Sequence, residues 1–269
     1  MAIPGILGAI VERTLADVKA RKTQLSHREL EQRARQRSGR RERWEHALRR
    51  TPPDPVRFIA EIKKASPSRG VLREDLDASA LAAAYREHGA SAISVVTEPH
   101  FFQGSDGFLD EARRHSGELP LLRKDFHVHE LQLLEAAGGQ ADALLLIAAV
   151  LSPTQLKDFL DIAGGVGLGH LVEVTDPREA EMALKAGARV IGVNNRDLST
   201  FEVDPERTRR VLPLLQQENV ISVAESGIHD RETVLRYERW GLSALLVGEA
   251  LVVAPDPGMK LRALRGLRA

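Results

Sequence analysis

The sequence predicts an α/β protein built as a (β/α)8 barrel, the TIM-barrel arrangement, with an N-terminal helical extension. Three observations predict it. Short apolar runs of β type alternate with amphipathic stretches of helical period, eight times and at near-uniform spacing. The phrases HGASAISVV, GGQADALLLI, KAGARVIGV and WGLSALLVG recur loosely, each a helix-ending glycine followed by a run suited to a buried strand. The chain has 269 residues, the usual size of one such barrel with an extension. Alternation of this kind implies parallel pairing, and its even spacing favours a closed barrel over an open doubly wound sheet.

From about Gly5 to Arg50 the pattern is helical, with Ile6, Ile10, Leu15 and Val18 on one face and charges between them. The part after Arg28 is rich in arginine, but interleaved glutamates mark a solvated helical face rather than a nucleic-acid surface. The Thr51-Pro-Pro-Asp-Pro55 stretch cannot continue a helix. Residues 1–50 are therefore expected to form a helical extension of one 269-residue domain, whose apolar face needs a partner. Strands are expected at Arg57–Lys63, Ala92–Thr97, Pro120–Lys124, Ala143–Ala148, His170–Val174, Val190–Asn194, Val220–Glu225 and Ala244–Gly248. Helices are expected at Ala78–His88, Glu130–Ala137, Pro153–Ala163, Pro177–Ala186, Pro205–Leu212 and Asp230–Tyr237, several opening with Asp, Ser or Pro.

Composition narrows the function. Lysine plus arginine and aspartate plus glutamate both number 38, so no global field favours nucleic acid or an anionic membrane. The absence of cysteine excludes disulfides, thiolate nucleophiles and cysteine-containing zinc sites, and is compatible with a reducing cytoplasm. The N-terminal apolar stretch lacks a basic n-region and is broken at Glu12 and Arg13, so a soluble, cytoplasmic protein is expected.

Barrel strands are buried on both sides, so a charged residue near a strand end must face the open mouth or be paired. In Arg57–Lys63, alternation sends Phe58, Ala60 and Ile62 to one face and Ile59, Glu61 and Lys63 to the barrel interior. The same reasoning brings Lys124, Glu173, Asn194 and Glu225 to the C-terminal rim, where such barrels carry their chemistry. Any one of them has the plainer reading of a structural ion pair, Glu61 with Lys63 for example, or of a rim residue in water. Convergence of the whole set is what favours catalysis.

A phosphate site is the second signal. Ala224-Glu-Ser-Gly-Ile228 and Leu245-Leu-Val-Gly-Glu-Ala250 follow the seventh and eighth strands, where backbone N–H groups often hold phosphate, and Gly227 and Gly248 let the backbone approach it. The loop Lys64-Ala-Ser-Pro-Ser-Arg-Gly70, polar, basic and bounded by glycine, reads as a lid over an anion or as a simple solvated loop. His127 and His129 have same-face spacing but no third ligand, so no metal is expected. Gly164–Gly169 precedes a strand and follows a helix, the reverse of a dinucleotide fingerprint, and Ser226 has no positioned histidine for a triad.

These residues resemble one family. The run IAEIKKASPSRG from Ile59 to Gly70 is similar to the signature of the indole-3-glycerol-phosphate synthases. VVTEPHFFQGS (Val95–Ser105), LLRKDF (Leu121–Phe126), LVEV (Leu171–Val174), GVNNRDL (Gly192–Leu198) and AESGI (Ala224–Ile228) resemble that family's blocks in their usual order, and ILGAIVERTLADVKARK (Ile6–Lys22) resembles its extra helix. The resemblance implies that this helical extension lies over the barrel mouth, and the chain does not resemble the fused bifunctional form.

The resemblance implies ring closure of 1-(o-carboxyphenylamino)-1-deoxyribulose 5-phosphate with loss of carbon dioxide and water, needing neither metal nor other cofactor. It implies Lys124 as general acid, Glu173 as acid/base in the dehydration, and Lys63 as a holder of anionic groups or a partner in proton transfer. Burial beside another cation is expected to lower the pKa of such a lysine. Glu61 and Asn194 would orient these groups and Arg196 would support them. Glu225 and Ser226 would line the ribulose chain, and Ser66 falls in the signature as a substrate-binding residue. Phe102 and Phe126 would pack on the anthranilate ring, core packing being the plainer reading.

The phosphate would meet Lys63, Gly227 and the backbone of Gly248 and Glu249. Glu249 departs from members with serine here, and its carboxylate is expected to point away from a phosphate. The resemblance leaves room for association with other tryptophan-pathway enzymes. The rival barrel enzyme, phosphoribosylanthranilate isomerase, is disfavoured by the Glu61–Ser68 block, and a non-catalytic pathway scaffold by the presence of both Lys124 and Glu173.

Overall fold

The computed structural model describes residues 5–21, 27–35, 39–197, 200–216 and 219–267. Residues 1–4 of the expected extension, Lys22 of its motif and Leu198 of the GVNNRDL block lie outside the described residues. Three helices, α1 (Gly5–Arg21), α2 (His27–Arg35) and α3 (Arg40–Leu48), precede the first strand. Then come β1 (Arg57–Ile62), β2 (Ala92–Val96), β3 (Leu121–Lys124), β4 (Ala143–Ile147), β5 (Gly169–Val174), β6 (Val190–Asn194), β7 (Ile221–Glu225) and β8 (Ala244–Val247). They close into a parallel barrel in which β1 pairs with both β2 and β8, in the registers Glu61↔Ser94 and Phe58↔Leu245.

The crossovers are α4 (Ala78–Glu87), α5 (Asp106–His115), α6 (Glu130–Gly138), α7 (Pro153–Gly165), α8 (Pro177–Ala186), α9 (Glu206–Leu215) and α10 (Arg231–Trp240). A single turn, α11 (Glu249–Val252), and α12 (Pro257–Arg265) follow β8. Local chemistry starts these helices where they start. Asp77, Ser105, Ser152, Asp176 and Asp230 each accept a backbone N–H of the first turn, and Gln155 completes a capping box with Ser152; each such cap is worth about 1 kcal/mol. Gly187 and Gly241 end α8 and α10 at φ 92° and 87°, a left-handed conformation that suits glycine. Helix α5 buries Leu109 and Ala112, with Phe108 partly buried beside them against the core.

The strands separate two apolar layers. Phe58, Ala60, Ile62, Val95, Leu144 and Val172 face the helices, while Ile59, Leu122, Leu145, Leu171, Val223 and Leu246 fill the barrel. The extension, expected over the mouth, divides between three places. Ile6, Leu7 and Ile10 of α1 pack at the mouth with Phe102, Phe126 and Ile147. Leu30 of α2 packs with Val18, Leu131 and Leu134 along the flank of α6. Trp44 and Leu48 of α3 plug the opposite end, against the strand beginnings Ala92, Ala143, Val190, Ile221 and Ala244. There the Trp44 indole donates to the His170 carbonyl at 2.9 Å, and Gly169 makes room for it, since a Cβ there would stand 2.8 Å from the ring.

Candidate active site

At the C-terminal ends of the strands lies a cleft of about 850 Å³ with a charged floor and apolar walls. Lys63, Lys124, Glu173, Asn194 and Arg196 line its floor; Ile6, Leu7, Ile10, Phe102, Phe126, Leu145 and Ile147 line its walls. A second, more polar cleft of about 470 Å³ shares Lys63, Lys124 and Arg196, and adds Glu61, Glu225, Gly227 and Gly248.

The strand alternation that buries Ile59 also turns Glu61 inward, beneath both lysines. Its carboxylate contacts Lys63 Nζ at 2.7 Å and Lys124 Nζ at 3.5 Å. Burial works against its charge, but the two ammoniums outweigh burial and hold the Glu61 carboxyl below the ordinary range. Lys124 also lies 3.9 Å from a carboxylate oxygen of Glu173 and 3.9 Å from one of Glu225. These separations are longer than direct hydrogen bonds, so a surrounding field rather than one tight partner holds the ammonium.

That field corrects an expectation. Burial lowers the Lys124 pKa, yet attraction from Glu61, Glu173 and Glu225 more than reverses it, and the amine is held well above its ordinary value. Carboxylates, not the second lysine, dominate its surroundings. Glu225 moves the other way for a carboxylate: burial and then repulsion from Glu173 push it up to about 8, despite Lys124. At neutral pH it is mostly the neutral acid beside Glu173, and its buried Oε1 has no hydrogen-bond partner.

Asn194 fixes the geometry beside them. The backbone N–H of Arg196 donates to Asn194 Oδ1 at 3.0 Å, and the Ser226 hydroxyl donates to the same oxygen at 2.9 Å. The amide Nδ2 is thereby turned to Glu173 Oε1, at 3.1 Å. Ser226 reaches this position with φ 66°, uncommon for a residue with a Cβ, and it is followed by Gly227 at φ 76°. A Cβ on Gly227 would stand 2.6 Å from Val203 Cγ1. Gly248 and Gly192 have a further use: a Cβ on either would collide with the carboxylate of Glu61 or of Glu225, respectively.

Phe102 and Phe126 face each other with centroids 6.2 Å apart. Glu98 of the VVTEPHFFQGS block has a role that the fold shows. Its buried carboxylate accepts the backbone N–H groups of His100, Phe101 and Phe102 at 2.9, 2.7 and 2.9 Å, which folds the loop after β2 and sets Phe102. An acid directly after a strand, followed by free N–H groups, was the available signal. The loop after β1 forms a small hairpin, Ala65–Ser66 with Gly70–Val71, tied to its neighbour by Ala65 N–H to Phe102 O at 3.1 Å. Ser66 is buried at the cleft edge, its hydroxyl 3.5 Å from that of Ser68.

Glu249 does not turn from the site. It lines both clefts, held by Arg69 at 2.8 Å and Arg196 at 3.4 Å. The two histidines go elsewhere: His127 Nδ1 pairs with Leu145 O at 2.7 Å, and His129 caps α6. Among the described residues no group of three or more His, Cys, Asp or Glu side chains is placed to hold a metal ion.

Solved structures share the fold at low identity. Thiamine phosphate pyrophosphorylase from Pyrococcus furiosus aligns with TM-score 0.60 and 17% identity over 78% of this chain and 94% of that one. 3-Hexulose-6-phosphate synthase from Salmonella typhimurium aligns with TM-score 0.58 and 15% identity over 78% and 97%. Sequence relatives are far nearer. An indole-3-glycerol phosphate synthase of Sulfurimonas denitrificans is 46% identical over 81% of this chain and 82% of its own length. One of Aliarcobacter butzleri is 40% identical over 93% and 95%. The indole-3-glycerol phosphate synthase family model matches residues 7–264, from the first turn of α1 through nearly all of α12. A match of that extent, on a barrel whose charged mouth carries the family's blocks, means that the chain belongs to the indole-3-glycerol phosphate synthase family.

Proposed function

We propose that Lys124 and Glu173 divide the proton transfers of indole-3-glycerol phosphate synthesis, the carboxy-lyase reaction of this family. The substrate is a small phosphorylated molecule, 1-(o-carboxyphenylamino)-1-deoxyribulose 5-phosphate. Ring closure requires the aromatic carbon that bears the carboxylate to attack the ribulose ketone. An acid must protonate the ketone oxygen as the bond forms. Loss of carbon dioxide then restores the benzene ring, and departure of water with loss of a ring proton gives the indole.

One observation carries the assignment: the Lys124 ammonium stands among the carboxyl groups of Glu61, Glu173 and Glu225 on the charged floor of a cleft with apolar walls. Glu61 and Glu173, first among the groups that raise its pKa, keep it protonated and ready to donate, and its contacts of 3.5–3.9 Å leave it open to a substrate oxygen. Glu173, oriented by Asn194, is the acid/base of the dehydration, and neutral Glu225 beside it is a source of the proton that the departing hydroxide takes. Glu61 spaces the two lysines. Lys63 and Arg196 attract the substrate's anionic groups, and the turns at Gly227 and Gly248 present backbone to its phosphate. Phe102, Phe126 and the α1 residues Ile6, Leu7 and Ile10 enclose the anthranilate ring and keep water from it.

The test is Lys124→Met and Glu173→Gln, assayed by formation of indole glycerol phosphate. Each is expected to lower kcat by about 10²–10⁴ with folding intact. The lysine variant should stall condensation, and the glutamate variant should accumulate a decarboxylated intermediate. Near-normal turnover in either folded variant removes that residue from the mechanism.

A further inference from the structure

Glu249 presents an anion to the groups that a substrate phosphate would use. Its carboxylate is only 14% exposed. It accepts from Arg69 Nη2 at 2.8 Å and Nε at 3.0 Å through Oε1, and it meets Arg196 Nη2 at 3.4 Å through Oε2. Arg69 belongs to the hairpin after β1, Arg196 follows β6 and Glu249 follows β8, so this side chain ties three loops of the mouth together. Burial opposes its charge, but Arg69, Arg196 and Lys63 outweigh burial and hold the carboxyl below the ordinary range. It is an anion at neutral pH, on the wall of the cleft that holds Gly227 and Gly248.

A phosphate entering beside those glycines meets this fixed negative charge, and like charges a few ångströms apart near a protein surface repel strongly. The repulsion eases if the Glu249 carboxylate moves away with one arginine and leaves the other to the phosphate. We propose that Glu249 is a displaceable counter-anion: it holds Arg69 and Arg196 in the empty site, releases Arg196 to the incoming phosphate, and reclaims it as product leaves. The proposal rests on the reading that phosphate binds at Gly227 and Gly248.

The two arginines differ in a way that sets the direction of exchange. Arg196 is anchored by Nη1 to Phe201 O at 3.2 Å and is largely buried, so it stays to receive the phosphate. Arg69 is 62% exposed, so it can swing outward with the Glu249 carboxylate still attached. Only ion-pair partners change, and no covalent bond forms or breaks. The consequence is selective: an internal competitor weakens phosphate capture but also prevents the phosphorylated product from being held too tightly.

The experiment uses inorganic phosphate as the probe, measured by calorimetry and by competition with substrate, on wild type, Glu249→Gln, Glu249→Ser and Gly227→Val. Removing the internal anion should tighten phosphate binding by roughly tenfold in either Glu249 variant and lower KM. The gain should shrink as salt is raised. Two substitutions guard against one that fails to fold. Unchanged or weaker phosphate binding in a folded Glu249 variant overturns the exchange, because a merely structural tie would lose affinity when cut. Phosphate binding that persists undiminished in Gly227→Val overturns the phosphate site itself, and the exchange with it.

Discussion

At the strand beginnings, Trp44 and Leu48 fill the barrel and the one indole N–H finds a backbone carbonyl. At the strand ends, Lys124 stands among Glu61, Glu173 and Glu225, and buried oxygens of Glu61 and Glu225 lack hydrogen-bond partners. The same strands supply both ends. Interior glycines serve each: Gly169 admits an indole below, while Gly192 and Gly248 admit carboxylates above. The difference shows where stability and chemistry separate. One end is packed to closure, and the other keeps charged groups in an environment that favours their reaction over their comfort.

Mutating the two ends should therefore break different properties. Lys124→Met should remove most of kcat, as above, while lowering the urea midpoint only modestly, since the carboxylates lose one counter-charge but Glu61 keeps its 2.7 Å contact with Lys63. Trp44→Ala should do the reverse, costing about 3–5 kcal/mol of stability with kcat per folded molecule within roughly twofold of wild type. A Trp44 variant that stays stable but loses turnover would abolish the separation of roles.

The comparison sharpens with pH. Glu225 binds its proton more tightly in the fold, at about 8, than its ordinary value of 4.5. Its contribution to stability is complete below about 4.5 and is lost as pH rises toward 8. His170, at the plugged end, is pushed down to about 4 from 6.5 by burial and by Arg41 and Arg189. Its contribution is complete above about 6.5 and is lost as pH falls toward 4. Urea titrations across pH should show Glu225→Gln flattening the alkaline side of the stability profile and His170→Gln flattening the acid side. Matching profiles for the two variants would defeat the assignment of opposite sensitivities to opposite ends.

A smaller effect is expected at the cover of the mouth. Ile10→Ser in α1 removes part of the apolar wall without touching the charged floor, so KM should rise several-fold with kcat nearly unchanged. An unaltered KM would leave α1 as packing alone.

Much of this was legible in the residues themselves. Eight β-type runs announced the barrel, and the inward turn of Glu61 followed from simple alternation with Ile59. What was not legible depends on partners distant in sequence. That Lys124 is surrounded by carboxylates rather than paired with a cation needs four strands placed around one axis. Arg69 and Glu249 meet only because β1 and β8 are neighbours. Trp44 carries no apolar stripe that marks a plug, since α3 is polar on most of its surface and the buried row it shares with Leu48 begins at the charged Arg40.

Closure of the first strand on the last imposes an order on synthesis. A ribosome delivers Trp44 well before the carbonyl it bonds, which lies 126 residues further along, and β1 has no second neighbour until β8 emerges. Through that interval the apolar side of α3 has no closed barrel to enter. Release of such a chain before β8 should expose Trp44 to a quencher, while addition of β8 should bury it in the same step that completes the mouth. The plug is thus among the first parts made and the last housed.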